Sequence, residues 1–132
     1  MRLAIDTNVL VRYITSDDPQ QLAAAQSAIE GDDVLFISTV VLCELAWVLK
    51  GTYKYSRAEI ERILTDLVIT RNVEADFDAA QAGLHMLARG GDFADGVIEY
   101  EAARAKCDRL VTFDQNFARC AATPRVTLLA TT

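Results

Sequence analysis

Apolar and polar positions fall along the chain in blocks that read as short buried strands followed by amphipathic helices. Residues 2–5 form a mostly apolar run that predicts a strand ending at Asp6, and residues 8–15 read as a short apolar helix. Asp18-Pro19 supplies an N-cap followed by proline at the first helical position, starting a helix that runs through Ile29 before Gly31. Val34-Leu35-Phe36-Ile37 is apolar throughout and predicts a strand covered on both faces. Ser38 is placed to cap the next helix, which extends to about Lys50 before Gly51. Ser56-x-x-Glu59 is a capping box, and Ile60, Ile63, Leu64, Leu67 and Val68 form the stripe behind it. A further helix is expected over residues 78–89, ending at Gly90-Gly91. Asp92 then caps a helix to about Lys106, and residues 109–113 and 126–129 read as the last two strands.

Strands alternating with helices imply a parallel sheet with helices on both faces. The expected fold is therefore α/β, a three-layer α/β/α sandwich with a central, mainly parallel sheet. In such sheets ligands bind beyond the carboxyl ends of the strands. The chain has 132 residues, 52% of them hydrophobic and only 2 prolines, with no repeat or low-complexity stretch. That fits one domain over residues 1–132, large enough to bury about two-thirds of its unfolded surface.

The opening residues turn charged too soon for a signal peptide, and no apolar run approaches the ~20 residues of a membrane helix. Cys43, Cys107 and Cys120 form no C-x-x-C pair, which suggests neither a disulfide framework nor a zinc knuckle. A reduced, cytoplasmic protein without membrane contact is the expectation. The 19 acids against 13 bases give a net charge of −6, a poor electrostatic footprint for a nucleic-acid binder. Acids gathered around divalent cations would change the local sign of the field.

Four acids suggest such a gathering. Asp6 directly follows the first strand and Asp114 directly follows Leu110-Val111-Thr112-Phe113, so both belong at the carboxyl edge of the sheet. Aspartate there also caps helices well, and either residue alone is accounted for by that role. Glu44 falls with Val41, Leu45 and Val48 at i, i+3, i+4 and i+7, which projects a glutamate from the apolar stripe; an unpaired buried carboxylate costs several kcal/mol, of order ~3–5. Asp95 shares a helical face with Ile98 and Ala102 and is expected to point inward, leaving Asp92 as the cap. Carboxylates held close together raise each other's pKa unless a cation is present, and oxygen-only ligands select hard ions such as Mg²⁺ or Mn²⁺.

Asp6-Thr7-Asn8, Ser38 with Glu44, Asp92-Phe93-Ala94-Asp95 and Thr112-Phe113-Asp114-x-x-Phe117 together resemble the PIN-domain family, and within it the VapC toxins of VapBC toxin–antitoxin pairs. The resemblance covers nearly the whole chain. It implies that Asp6, Glu44, Asp95 and Asp114 are the catalytic, metal-binding carboxylates, supported by the polar residues Thr7, Asn8, Ser38, Thr112 and Asn116. It implies Mg²⁺- or Mn²⁺-dependent cleavage of RNA phosphodiesters by an activated water, a homodimer, and a cognate antitoxin that blocks the acidic groove. Gly96, Glu99 and Tyr100 stand where the family usually has alanines, and Glu99 lies one turn past Asp95, close enough to modify the site.

Other features weigh less. His85 is the only histidine, which rules out a two-histidine ribonuclease and reads as a structural residue. Cys43 reads as a small core residue, and Trp47 with Val40 and Leu49 as core rather than dimer surface. Asp6-Thr7-Asn8 differs from phosphatases that carry a second aspartate where Asn8 stands, and no phosphate-binding glycine motif occurs. Arg12, Lys50, Lys54 and Arg57, with Arg62 and Arg89 nearby, are candidates for holding an RNA backbone, or simply a solvated helix face. The alternatives to a nuclease are a catalytically silent binding module of the same fold and a metal-dependent phosphatase.

Overall fold

The computed structural model describes residues 1–131. Among them are seven helices and five strands: β1 (Arg2–Ala4), α1 (Thr7–Thr15), α2 (Pro19–Ile29), β2 (Val34–Phe36), α3 (Thr39–Gly51), α4 (Arg57–Ile69), β3 (Val73–Glu74), α5 (Phe77–Ala88), α6 (Phe93–Arg104), β4 (Leu110–Thr112), α7 (Gln115–Cys120) and β5 (Val126–Leu128). Helices alternate with strands that pair only in parallel, as expected of the α/β class with a three-layer α/β/α fold. The pairing forms a three-stranded group β1-β2-β3 and a two-stranded group β4-β5. The chain divides into two compact units, Met1–Asp76 and Phe77–Thr132.

In the first unit β1 pairs with β2 so that Ala4 faces Phe36, and the Ile5 amide donates to the Phe36 carbonyl at 3.0 Å. Asp6 and Ser38 therefore leave the sheet side by side, each as the N-cap of the helix that follows. Caps hold the other helices as their sequences suggest. The Asp18 carboxylate accepts from the Gln20 and Gln21 amides, both at 3.1 Å, and Ser56 and Glu59 close their capping box reciprocally. The Ile60 and Leu64 side chains of α4 are fully covered, as the stripe requires.

Two expectations fail on α3. Its buried arc runs through Leu42, Leu45, Ala46 and Leu49, again i, i+3, i+4 and i+7 but one residue along from the expected stripe. Trp47, at 76% exposure, and Val40, at 68%, consequently point away from the core instead of into it. Glu44 lies on the flank of the arc and is exposed, so no burial cost attaches to it. Phe36 at the end of β2 is partly exposed too, so that strand is not covered on both faces.

The second unit is built on close packing between α5 and α6. A side chain at Gly83 would collide with the Phe93 ring at 2.6 Å. One at Gly96 would run into the Ala82 carbonyl oxygen and lie 2.7 Å from the Met86 Cβ. Glycine at position 96 is thus required by the helix it faces. Gly90 has φ +98°, which ends α5 in the left-handed region that glycine occupies without strain. Met86, Phe117 and Cys120 form one core cluster here, with Leu110 and Val126 packed against them.

Candidate functional site

In the first unit the sheet edge carries Asp6, Thr7 and Ser38, and α3 brings Glu44 to them. The Asp6 carboxylate accepts from the Thr7 amide at 2.8 Å. The Thr7 hydroxyl donates to Glu44 Oε1, also at 2.8 Å, which ties the first turn of α1 to the middle of α3. Ser38 Oγ accepts from the Val41 amide at 3.2 Å and is spent as a cap. A shallow hollow of about 260 Å³ opens beside Asp6, floored by Ala4, Ile5, Phe36 and Val41 with Ser38 at its rim. Asp6, Asn8 and Glu44 all face solvent.

In the second unit Asp114 ends β4 and caps α7, its carboxylate accepting from the Phe117 amide at 3.0 Å. The Thr112 hydroxyl accepts from the Asp114 amide at 3.0 Å, and the Asn116 amide group donates to the Gly90 carbonyl at 3.2 Å. Asn116 also accepts from Arg119. These two polar residues thus hold the turn that presents Asp114. Asp95 sits in the first turn of α6 with its carboxyl raised to about 6 by burial, then by the charges of Asp92 and Asp114. Those three acids are therefore electrostatic neighbours.

The directional argument for Asp95 needs correcting. The buried face of α6 is Phe93, Gly96, Val97 and Glu99, while Ile98 is 47% exposed. Asp95 is half-buried at the margin of that face. Asp92 occupies the N-cap position, yet its side chain gives α6 no capping hydrogen bond. Its effect on Asp95 was readable from the sequence, since residues three apart are neighbours on one helix. Glu99 has a structural role. At 8% exposure it accepts from the Ala122 and Thr123 amides at 3.2 and 3.0 Å, with the Arg89 guanidinium 3.9 Å away. It fastens the segment before β5, and Arg89, which also donates to the Cys120 carbonyl at 2.7 Å, is engaged in the same unit.

The basic candidates differ among themselves. Arg12 donates to Gln21 at 2.5 Å and to the Tyr53 hydroxyl at 3.1 Å, and pairs with Asp17 at 3.3 Å. Tyr53 donates in turn to Asp17 at 2.8 Å, and this hydrogen bond is the main reason the Asp17 carboxyl is pulled below its usual range. A guanidinium so occupied is a brace between α1, α2 and the loop after α3. Lys50 and Lys54 are exposed and Arg57 is partly exposed, at the end of α3 and the start of α4. His85 is exposed and Cys43 partly so.

Among the described residues no group of three or more His, Cys, Asp or Glu side chains forms a ready cage for a metal ion. The donors nonetheless suit Mg²⁺ or Mn²⁺. They are all carboxylate oxygens with polar supports, and magnesium takes one or two carboxylates and keeps several waters. A cation beside Asp95 would offset the burial of its carboxyl and the charges of Asp92 and Asp114.

The family model described as PIN domain matches residues 3–122, most of the chain and parts of both units. No curated protein sequence matches the chain.

Proposed function

The chain belongs to the PIN-domain family, generally a metal-dependent nuclease fold, and from that premise we propose that it is an Mg²⁺- or Mn²⁺-dependent endoribonuclease of the VapC toxin type. The reading takes residues 1–132 as a single PIN domain and assigns the metal-binding carboxylates to Asp6 and Glu44 in the first unit and to Asp95 and Asp114 in the second. The observation that carries it is the Asp6–Thr7–Glu44 link at the carboxyl end of β1, where the Thr7 hydroxyl holds the exposed Glu44 carboxylate at 2.8 Å. A bound divalent ion would neutralise charge on the scissile phosphate and activate the attacking water.

The residues around the acids divide the remaining work. Thr7 orients Glu44. Thr112 and Asn116 fix the turn that carries Asp114, and Ser38 fixes the start of α3. Lys50, Lys54 and Arg57 supply phosphate contacts that position RNA without reading bases. Asn8, exposed in the first turn of α1, is free to meet substrate. The uncovered Val40 and Trp47 give α3 an apolar face suited to a homodimer, and a cognate antitoxin would act by covering the acids. The reading places its action in the cytoplasm; among the described residues no helix is long and apolar enough to cross a membrane.

The test is cleavage of single-stranded RNA by the purified protein with Mg²⁺ or Mn²⁺, against the same reaction with EDTA. Cleavage that stops on chelation is expected, and cleavage that survives it would contradict the reading. Hydrolysis of small phosphate esters with RNA left intact would instead favour a phosphatase.

A further inference from the structure

A cavity in the first unit is lined by none of the acids discussed above. It is a half-open hollow of about 450 Å³, a volume in the range of small-molecule sites. Leu10, Ile14, Ile63, Leu67 and Val73 give it an apolar wall. Glu30 and Asp66 stand at its rim, both exposed, and no lysine or arginine lines it. The Tyr13 hydroxyl, also in the lining, donates to Glu30 Oε2 at 2.8 Å and so restrains that carboxylate. The same bond is the main reason the Tyr13 hydroxyl is pushed above its usual range, so Tyr13 stays a neutral donor.

Two carboxylates over an apolar hollow, with no base to neutralise them, select one kind of ligand. An aliphatic body fills the hollow by the hydrophobic effect, and a cationic head reaches the rim acids. An anion meets repulsion, and a neutral chain gains only the apolar part. We propose that this cavity is a binding site for small amphiphilic cations, with an alkyl portion against Leu10, Ile63 and Leu67 and an ammonium or guanidinium group between Glu30 and Asp66. The site does not depend on nuclease activity.

The probes are n-octylammonium, n-octanol and n-octanoate, titrated below their aggregation limits into the full chain at neutral pH, with amide chemical shifts read by NMR. Saturable shifts confined to Leu10, Ile63, Leu67 and Val73 are expected with octylammonium, with octanol about 5-fold weaker and octanoate weaker still. Glu30→Gln with Asp66→Asn changes only exposed side chains, so the fold should survive; octylammonium should then bind no better than octanol. Ile63→Phe, which fills the hollow, should weaken all three probes. Equal affinity for octylammonium and octanoate in the unmodified protein would overturn the proposal. So would the absence of saturation by octylammonium, or shifts that map outside the cavity.

Discussion

Replacing Asp95 by asparagine in protein stripped of divalent ions should stabilise it at neutral pH. Its carboxyl is raised from 3.8 to about 6, by burial first and then by Asp92 and Asp114, so the folded chain holds this proton more tightly than the unfolded chain does. Stability drawn from that difference is complete below the unfolded value near 3.8 and is lost as the pH climbs through about 6. Two pKa units correspond to about 3 kcal/mol, which partial exposure and screening reduce to about 1 kcal/mol at pH 7. The neutral amide carries no such penalty, so the Asp95→Asn variant should melt about 3–5 °C above the unmodified protein at pH 7. At pH 4 the two should converge, because Asp95 is then protonated in the folded state. Thermal melts of chelated protein across this pH range make the comparison. A variant less stable at pH 7, or a gain that does not change with pH, would refute the reasoning.

The remaining predictions concern positions where function and structure separate. Glu99→Ala should cost about 2–3 kcal/mol in urea melts, since it strands two backbone amides and the Arg89 partner. Gly96→Ala should cost at least about 2 kcal/mol by overpacking against Ala82 and Met86, and a neutral result would show that α5 and α6 can move apart cheaply. Asp114→Ala should lose about 1 kcal/mol with its cap to Phe117.

Local signals with a single chemical meaning were legible in the sequence. Asp18-Pro19, Ser38, Ser56-x-x-Glu59 and Gly90 sit where capping chemistry puts them, because a cap depends on its nearest neighbours alone. The two-residue β3 was not legible, since Val73–Glu74 has no run long enough to show a period. Nor was α7, whose six residues carry less than two turns of pattern. The face of α3 was misjudged because nearly every residue from Val40 to Leu49 is apolar, and such a helix fits two stripes one residue apart. Glu44 was singled out from a burial it does not have; its link to Thr7 is a tertiary fact that no spacing encodes. For Glu99, an acid one turn past Asp95 suggested a site residue, and only the packing of residues 122–123 against α6 reveals a fastening.

The assignment of the acids is tested most directly by titrating Mn²⁺ into the protein by electron paramagnetic resonance, alongside RNA cleavage, for Asp6→Asn and Asp114→Asn. One substitution lies in each unit, and both residues are exposed. Each variant is predicted to bind Mn²⁺ at least about 10-fold more weakly than the unmodified protein and to lose cleavage, since each removes one of few carboxylate ligands. Undiminished Mn²⁺ binding with full RNA cleavage in either variant would contradict the assignment.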